Sequence, residues 1–321
     1  MHLSTSNLNS KDEGYLANIA LLYYQEGLNQ SDIAKRFGVS RATIINHLRE
    51  SKERGIVDIR VSGKALHTSQ MSRELKDKYK LSDAYIAYLG DSKDDKENSR
   101  HTARVAAQAF FNIVNEDDII GVAWGETVKL ISQELPNRVI NNTHVCQVIG
   151  SMESDRMLSA EDCAIQIANK LGAECHTLHA PAVLSSEMLA LSLRQEPAIA
   201  KQLERLSCLD VLLTSVGDLS AETHVVSSGI LSEPELEKIT HEGAVAFICS
   251  SFIDSSGSNL PFSLQKRMIA IPFPDIMKTP KRIMVASGLK KLKAVKAALK
   301  GGLVTHAILD SDLASKLLNS E

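Results

Sequence analysis

Four short stretches of this 321-residue chain set glycines beside groups that can hold an anion or polarise a hydroxyl. In Ala286-Ser287-Gly288-Leu289-Lys290-Lys291, two lysines stand where a helix is expected to begin. A cation there opposes the helix dipole, so an anionic partner explains it better than helix stability does. In Gly121-Val122-Ala123-Trp124-Gly125-Glu126-Thr127, a glycine-bearing loop opens another helix, whose free backbone N–H groups can hold a negative charge. Ile149-Gly150-Ser151 and Ser215-Val216-Gly217-Asp218 complete the four. Taken singly, each reads as a tight strand-to-helix turn. Their convergence points to one anion-binding crevice. Glu126 and Asp254 are carboxylates of the type a general base needs, but no tight set of acid, base and electrophile is visible.

A second constellation is shorter and contiguous. In QSDIAKRFGVSRATIINHLRE, from Gln30 to Glu50, Ile33, Ala34 and Phe37 share one face of a short helix, Gly38 supplies the turn, and Ile44 and Leu48 continue the apolar face in a second helix. Ala34 lets the helices cross closely, and the turn favours a residue that tolerates positive φ, as Gly38 does. Ser40 is a good N-cap for the second helix. That helix presents Arg41, Ala42, Thr43 and Asn46, types that hydrogen-bond base edges or touch a thymine methyl, with His47 and Arg49 beside them. Gln30 and Ser31, opening the first helix, and Arg60, on a following strand, complete the set expected to touch DNA. An ordinary helical hairpin with a solvated polar face is the plain alternative.

The elements around these groups follow from periodicity. Tyr15 to Gln25 forms a helix with Ile19, Leu22 and Tyr23 on one side, ended by Gly27. After the recognition helix, closed at Gly55, Val57 to Val61 alternates as a half-buried strand does, giving a winged helix-turn-helix over residues 1–64. A larger domain fills 65–321, opening with a helix from Gln70 to Lys80. Short apolar runs (AYIAYL, DIIGVA, VCQVIG, ECHTLHA, DVLLTSVG, AVAFIC, RMIAIP, RIMVASG and THAILD) then alternate with helices near Thr102–Val114, Thr127–Leu135, Ala160–Leu171, Pro197–Leu206 and Lys291–Lys300. Strand after helix after strand predicts an α/β domain with a doubly wound, mostly parallel sheet, whose ligand site lies outside the carboxyl ends of the strands.

Composition narrows the function classes. At 44% hydrophobic and 23% charged residues the chain reads as a soluble globular protein, and no apolar run approaches the roughly 18 residues of a membrane span. The polar N-terminus lacks the apolar core of a signal peptide, so a cytoplasmic location is expected. Net charge is −3, yet residues 1–64 hold nine Lys/Arg against seven Asp/Glu, the sign that DNA binding requires. Cys146, Cys163, Cys175, Cys208 and Cys249 are scattered singly, without zinc-ligand spacing, and most fall in apolar stretches and read as reduced core residues. No cofactor and no metal site is expected. Aromatics at 4% argue against a stacking surface for single-stranded nucleic acid.

With these residues in hand, the chain resembles the SorC family of bacterial sugar-responsive transcriptional regulators over nearly its whole length. The likeness rests on the helix-turn-helix with Tyr23-Tyr24 and Gly27 ahead of it, on Gly-x-x-Trp-Gly-x-Thr at Gly121 to Thr127, and on Ala180-Pro181-Ala182. Ser215-Val216-Gly217, the Phe252-Ile253-Asp254-x-x-Gly257 segment and the closing VASGLKKLKAVKAALKGG extend it. The resemblance implies a C-terminal domain similar in fold to ribose-5-phosphate isomerase and glucosamine-6-phosphate deaminase, used as a sensor, and a homo-oligomer, usually a tetramer. It implies that a phosphorylated sugar or polyol is held by Gly125, Glu126, Thr127, Gly150, Ser151, Gly217 and Lys291, with Asp254 on a sugar hydroxyl. The chain departs from the family at Ala246-Phe247-Ile248, where Gly-Asp-Ile is frequent, and at Ser287-Gly288, where two glycines are frequent. These departures bear on which sugar fits, not on the fold. A repressor acting on double-stranded operator DNA is the expected function. The alternatives are a sugar-phosphate isomerase or deaminase with a DNA-binding appendage, and a constitutive DNA-binding protein that answers to no ligand.

Overall fold

The computed structural model describes residues 12–57, 68–91, 94–152, 159–220 and 224–320. The chain divides into two compact units, residues 1–61 and 62–321. The expected boundary at residue 64, Arg60 and all of the expected wing strand but Val57 lie outside the described residues.

Among its described residues the first unit has three helices: α1 (Glu13–Tyr24), α2 (Gln30–Phe37) and α3 (Arg41–Glu53). Each starts at a polar side chain that takes an otherwise unpaired backbone N–H. Asp12 accepts from Gly14, Asn29 from Ser31 and Asp32, and Ser40 from Thr43. Gly38 ends α2 at φ 67°, where its N–H caps Ala34 and Lys35 carbonyls, so the sharp turn into α3 rests on the one residue type that adopts this backbone freely. Ile19, Ile33 and Ile44 are fully buried, with Ala34 and Leu48 packed among them. Each such burial stabilises by roughly 1.5–3 kcal/mol, enough to hold three short helices that would not persist alone.

The second unit is built on a seven-stranded, wholly parallel sheet. In chain order its strands are β1 (Asp83–Ala87), β2 (Ile119–Val122), β3 (His144–Gln147), β4 (Glu174–His176) and β5 (Val211–Thr214), followed after an insertion by β10 (Lys281–Ala286) and β11 (His306–Asp310). Their spatial order is β1-β11-β10-β5-β2-β3-β4. Along β10, Met284 and Ala286 join one core while Ile283 and Val285 join the other, and all four are completely buried. This burial on both faces is why the strands read as unbroken apolar runs. Helices Asp95–Ile113, Glu126–Glu134 and Ala160–Leu171 cover one face; Gln70–Tyr79, Pro197–Leu206, Leu292–Lys300 and Ser311–Leu318 cover the other.

The insertion differs from the expected pattern. The run Asp210 to Gly217 breaks into β5 and a separate β6 (Val216–Asp218), which opens a four-stranded antiparallel sheet with β7 (Ala246–Ile248), β8 (Ser251–Ile253) and β9 (Asn259–Leu260). The AVAFIC stretch therefore belongs to this smaller sheet. Arg267 to Pro272, expected as a strand, makes only isolated bridges, Met268 to Val183 and Ala270 to Ile149. A short apolar run reports burial but not which sheet it joins. Among the described residues no helix is long and apolar enough to cross a membrane.

Chain direction across the parallel sheet reverses between β2 and β5. From β2 the chain steps outward to β3 and β4, and from β5 it steps the other way to β10 and β11. The loops that follow β2 and β5 therefore part and leave a crevice at their carboxyl ends.

Candidate functional site

A cavity of about 600 Å³ fills that crevice. The loop after β2 brings Gly125, Glu126 and Thr127 to it, the β5–β6 junction brings Ser215, Gly217 and Asp218, and the loop after β10 brings Ser287 to Lys291. Gly125 (φ 111°) and Gly288 (φ 94°) turn the chain sharply where these loops enter their helices. Neither helix start has a side-chain cap, so the positive end of the dipole at the start of Glu126–Glu134 and at the turn Leu289–Lys291 is not offset by a capping side chain. The Lys291 ammonium sits between them, 3.3 Å from both Thr127 Oγ1 and Ser215 Oγ. Burial lowers its pKa below the ordinary lysine value, and the Asp218 and Glu126 carboxylates oppose that shift. The site thus has a donor end, made of amides, hydroxyls and one ammonium, and a carboxylate fringe. Such a pair of ends suits a ligand with an anionic group and several hydroxyls.

The cavity includes groups that the sequence reading passed over. Asp310, almost fully buried at the end of β11, accepts from the Gly288 N–H at 2.6 Å through one carboxylate oxygen and from the Leu313 N–H at 2.8 Å through the other. It fixes the Ser287–Lys291 loop while capping the last helix. His224 pairs with Glu126 at 3.5 Å on the exposed rim. Trp124 and Phe247 supply apolar wall, as does Cys249, whose thiol burial pushes to about 11 and so holds in its unreactive form. Cys146 and Cys163 are likewise buried, whereas Cys208 is exposed and Cys175 half-buried.

Three of the expected effector residues lie away from this lining. Gly150 and Ser151 fasten the Ala180–Ala182 stretch: the Gly150 N–H donates to Ile269, the Ser151 N–H to Ala180, and the Ala182 N–H to Ser151. A Cβ on Gly150 would lie 2.5 Å from the Ala180 carbonyl oxygen, so the missing side chain allows a close backbone approach. Asp254 organises the turn between β8 and β9. Its Oδ1 accepts from the Ser256 and Ser258 N–H groups and the Ser256 hydroxyl, and these bonds hold the carboxyl below the usual range.

In the first unit, Arg41, Ala42, Asn46 and Arg49 are exposed along α3, Thr43 is partly exposed, and Ser31 and Ser40 are exposed nearby. Arg41 Nε donates to Gln30 Oε1 at 3.2 Å, and Arg49 donates to Asn46 Oδ1 at 3.1 Å. His47 requires correction. It shares the inward stripe of Ile44, Leu48 and Ser51, is only 7% exposed, and sets its ring edge-on to Tyr15, so it packs the unit instead of facing outward. In its place the exposed face holds Ile45, 44% exposed between Ala42 and Asn46. The tandem Ile44-Ile45 carried that signal, since helical periodicity lets only one of two neighbours face inward.

Comparison with known proteins agrees with both halves. The Sugar-bind family model, which describes a sugar-binding domain, matches residues 63–319. The uncharacterized transcriptional regulator YjhU of Escherichia coli (strain K12) is 31% identical over 304 residues, covering 94% of this chain and 93% of that protein. The deoxyribonucleoside regulator of Bacillus subtilis (strain 168) is 27% identical over 301 residues, covering 94% and 96%. The crystal structure of the full-length sorbitol operon regulator SorC from Klebsiella pneumoniae superposes with a TM-score of 0.76 at 25% identity, over 97% of this chain and all of that one. These relatives are transcriptional regulators and not enzymes. The chain belongs to the SorC family of transcriptional regulators, with a Sugar-bind domain as its larger unit.

Proposed function

We propose that this regulator represses a carbohydrate-utilisation operon by binding operator DNA through α3, and that a phosphorylated sugar or polyol in the cavity alters that affinity. The observation that carries the reading is the meeting of Lys291, Thr127 and Ser215 beside two uncapped helix starts. A phosphate there takes backbone N–H groups from Glu126 and Thr127 and a charge-assisted bond from Lys291. Gly125 and Gly217 let the backbone come close, and Glu126 and Asp218 accept from hydroxyls at the other end. Gly150, Ser151 and Asp254, which are not in the cavity lining, support this site by ordering the segments around it.

On DNA, Arg41 and Asn46 read base edges, Ala42, Thr43 and Ile45 meet thymine methyls, and Arg49 and Arg60 neutralise phosphates, with Gln30, Ser31 and Ser40 positioning the helix pair. Paired half-sites need a symmetric protein, and the homo-oligomer, a tetramer by analogy with the family, supplies it. Met188, Leu189 and Leu191, exposed on helix Glu187–Gln195, are the kind of apolar face that a subunit contact covers.

The test is a thermal-shift screen of sugar and polyol phosphates against their unphosphorylated parents. A cognate ligand at about 100 times its dissociation constant stabilises the domain by roughly 2.7 kcal/mol. Lys291→Ala should lose most of that shift and Thr127→Ala part of it. An equal shift from the unphosphorylated compound, or an unaltered shift in Lys291→Ala, would remove the phosphate from the proposal.

A further inference from the structure

His144, Glu174 and His176 meet on the outermost pair of strands in the parallel sheet, beginning at the amino end of β3, away from the cavity. His144 opens β3, its partner across the ladder is Glu174, which opens β4, and His176 follows two residues later on the same face. The two imidazoles stack with centroids 5.3 Å apart, and His144 Nδ1 lies 3.1 Å from His176 Nε2. The Glu174 carboxylate stands 3.4 Å from the first of these nitrogens and 3.7 Å from the second. One donor atom from each residue lies within 4.8 Å of the other two.

We propose that these three side chains form a binding site for a divalent transition metal of the zinc class. Two imidazole nitrogens and a carboxylate oxygen are a donor set that Zn²⁺ prefers and that Mg²⁺ and Ca²⁺ do not. With metal–ligand bonds of about 2.0–2.2 Å, tetrahedral coordination puts neighbouring donor atoms roughly 3.3 Å apart. The two nitrogens already stand 3.1 Å apart, and Glu174 approaches His144 with one carboxylate oxygen at 3.4 Å and His176 with the other at 3.7 Å, so a small rotation of the carboxylate completes a donor set whose atoms lie within 4.8 Å of one another. Without metal, the two facing nitrogens share one proton. Binding needs that proton only to move to the outer nitrogen of its own ring.

Burial divides the labour within the site. His176 is 7% exposed and fixes the floor, while the side chains of His144 and Glu174 are 41% and 65% exposed and leave a fourth position open to water. Arg205 and Lys201 bring positive charge toward His176, and Glu174 is the carboxylate that offsets it. Since β4 is a three-residue edge strand held on one side by β3, an ion shared between them pins the margin of the sheet. None of the three residues lines the cavity, so this is a second site, separate from effector binding.

The experiment is calorimetric titration of the full chain, stripped by chelator, with Zn²⁺, comparing the parent with His144→Ala and Glu174→Gln. Both substitutions change exposed side chains, so the stripped variants should melt with the parent. The parent should take up one ion per chain more than either variant, or bind it with at least about tenfold higher affinity, since lost outer-shell partners alone cost about 10–100-fold. Zn²⁺ should also raise the melting temperature of the parent alone, and Co²⁺ should give it a visible absorption band that the variants lack. Equal uptake by the parent and the His144→Ala, Glu174→Gln double variant would overturn the proposal, assigning any binding to other surface groups. So would a parent whose melting Zn²⁺ leaves unchanged and in which Co²⁺ raises no visible band.

Discussion

The helix proposed to face DNA and the cavity proposed to hold the effector are built on opposite plans. The exposed face of α3 proposed to read DNA lies within nine consecutive residues, Arg41 to Arg49, and each position is fixed by one turn of helix after another. The cavity gathers residues from Leu89 to Asp312, and nothing but the order of strands in the sheet brings them together. A surface coded locally depends on caps and one small core. A cavity coded by topology depends on the whole sheet. The contrast predicts that damage to one should leave the other working.

The strongest way to break that contrast is to empty the core of the first unit. Ile44 is fully buried between Ile19, Ile33 and Leu48, so Ile44→Ala should cost about 2–5 kcal/mol, a large share of the stability of so small a unit. Operator binding should fall sharply in a gel-shift or anisotropy assay. The melting shift caused by the sugar phosphate in the larger unit should persist. If the variant lost both responses together, the two regions would not be separately encoded.

What was legible in the sequence divides along the same line. The helix-turn-helix could be read nearly residue by residue, because Ile33, Ala34, Gly38, Ser40, Ile44 and Leu48 act over three or four positions. Ala160–Leu171 and Pro197–Leu206 appear with the expected ends for the same reason: Ser159 and Gly172 bracket the first, and a proline opens the second. The parallel sheet was legible as a class from its apolar runs. The antiparallel insertion was not, because Ala246-Phe247-Ile248 looks the same in either sheet. In the cavity, Gly125, Thr127, Gly217 and Lys291 were visible as strand-end glycines and misplaced charges. Asp310 was not, since a buried carboxylate that caps one helix and holds the Gly288 N–H of another loop leaves no local pattern. Asp254, named from the resembling motif, bonds its own turn and does not line the cavity, a placement that no local pattern announces. His144 and His176 sit 32 positions apart, so no local spacing rule joins them.

A finer test separates reading from holding on α3 itself. Asn46 is exposed, and its Oδ1 accepts from Arg49 at 3.1 Å, so the amide must turn from Arg49 to offer both donor and acceptor to an adenine. Asn46→Ala should cost about 1–3 kcal/mol at one base pair and relax preference there, while affinity for other variants of the operator stays close to parental. Arg49, released from Asn46, still meets phosphate. A uniform loss across all operator variants would make Asn46 a positioning group instead of a reader.

The smallest expected effect lies one residue further on. His47 is the immediate neighbour of Asn46, yet the 100° step of the helix turns it inward, onto Tyr15 and beside Ser51, whose hydroxyl donates to the His47 carbonyl oxygen at 2.8 Å. Its Nδ1 has no hydrogen-bond partner among the described residues. A buried polar atom in that condition costs free energy that an apolar ring of similar shape does not incur. His47→Phe keeps the edge-on contact with Tyr15, which also meets Phe37 with centroids 5.4 Å apart, and removes the unpaired nitrogen. The variant should therefore melt at or slightly above the parental temperature, a gain of no more than about 1 kcal/mol, and bind every operator variant as the parent does. A selective loss at one base pair would return His47 to the reading face. A loss of stability would mean that the nitrogen holds a water on which the packing depends.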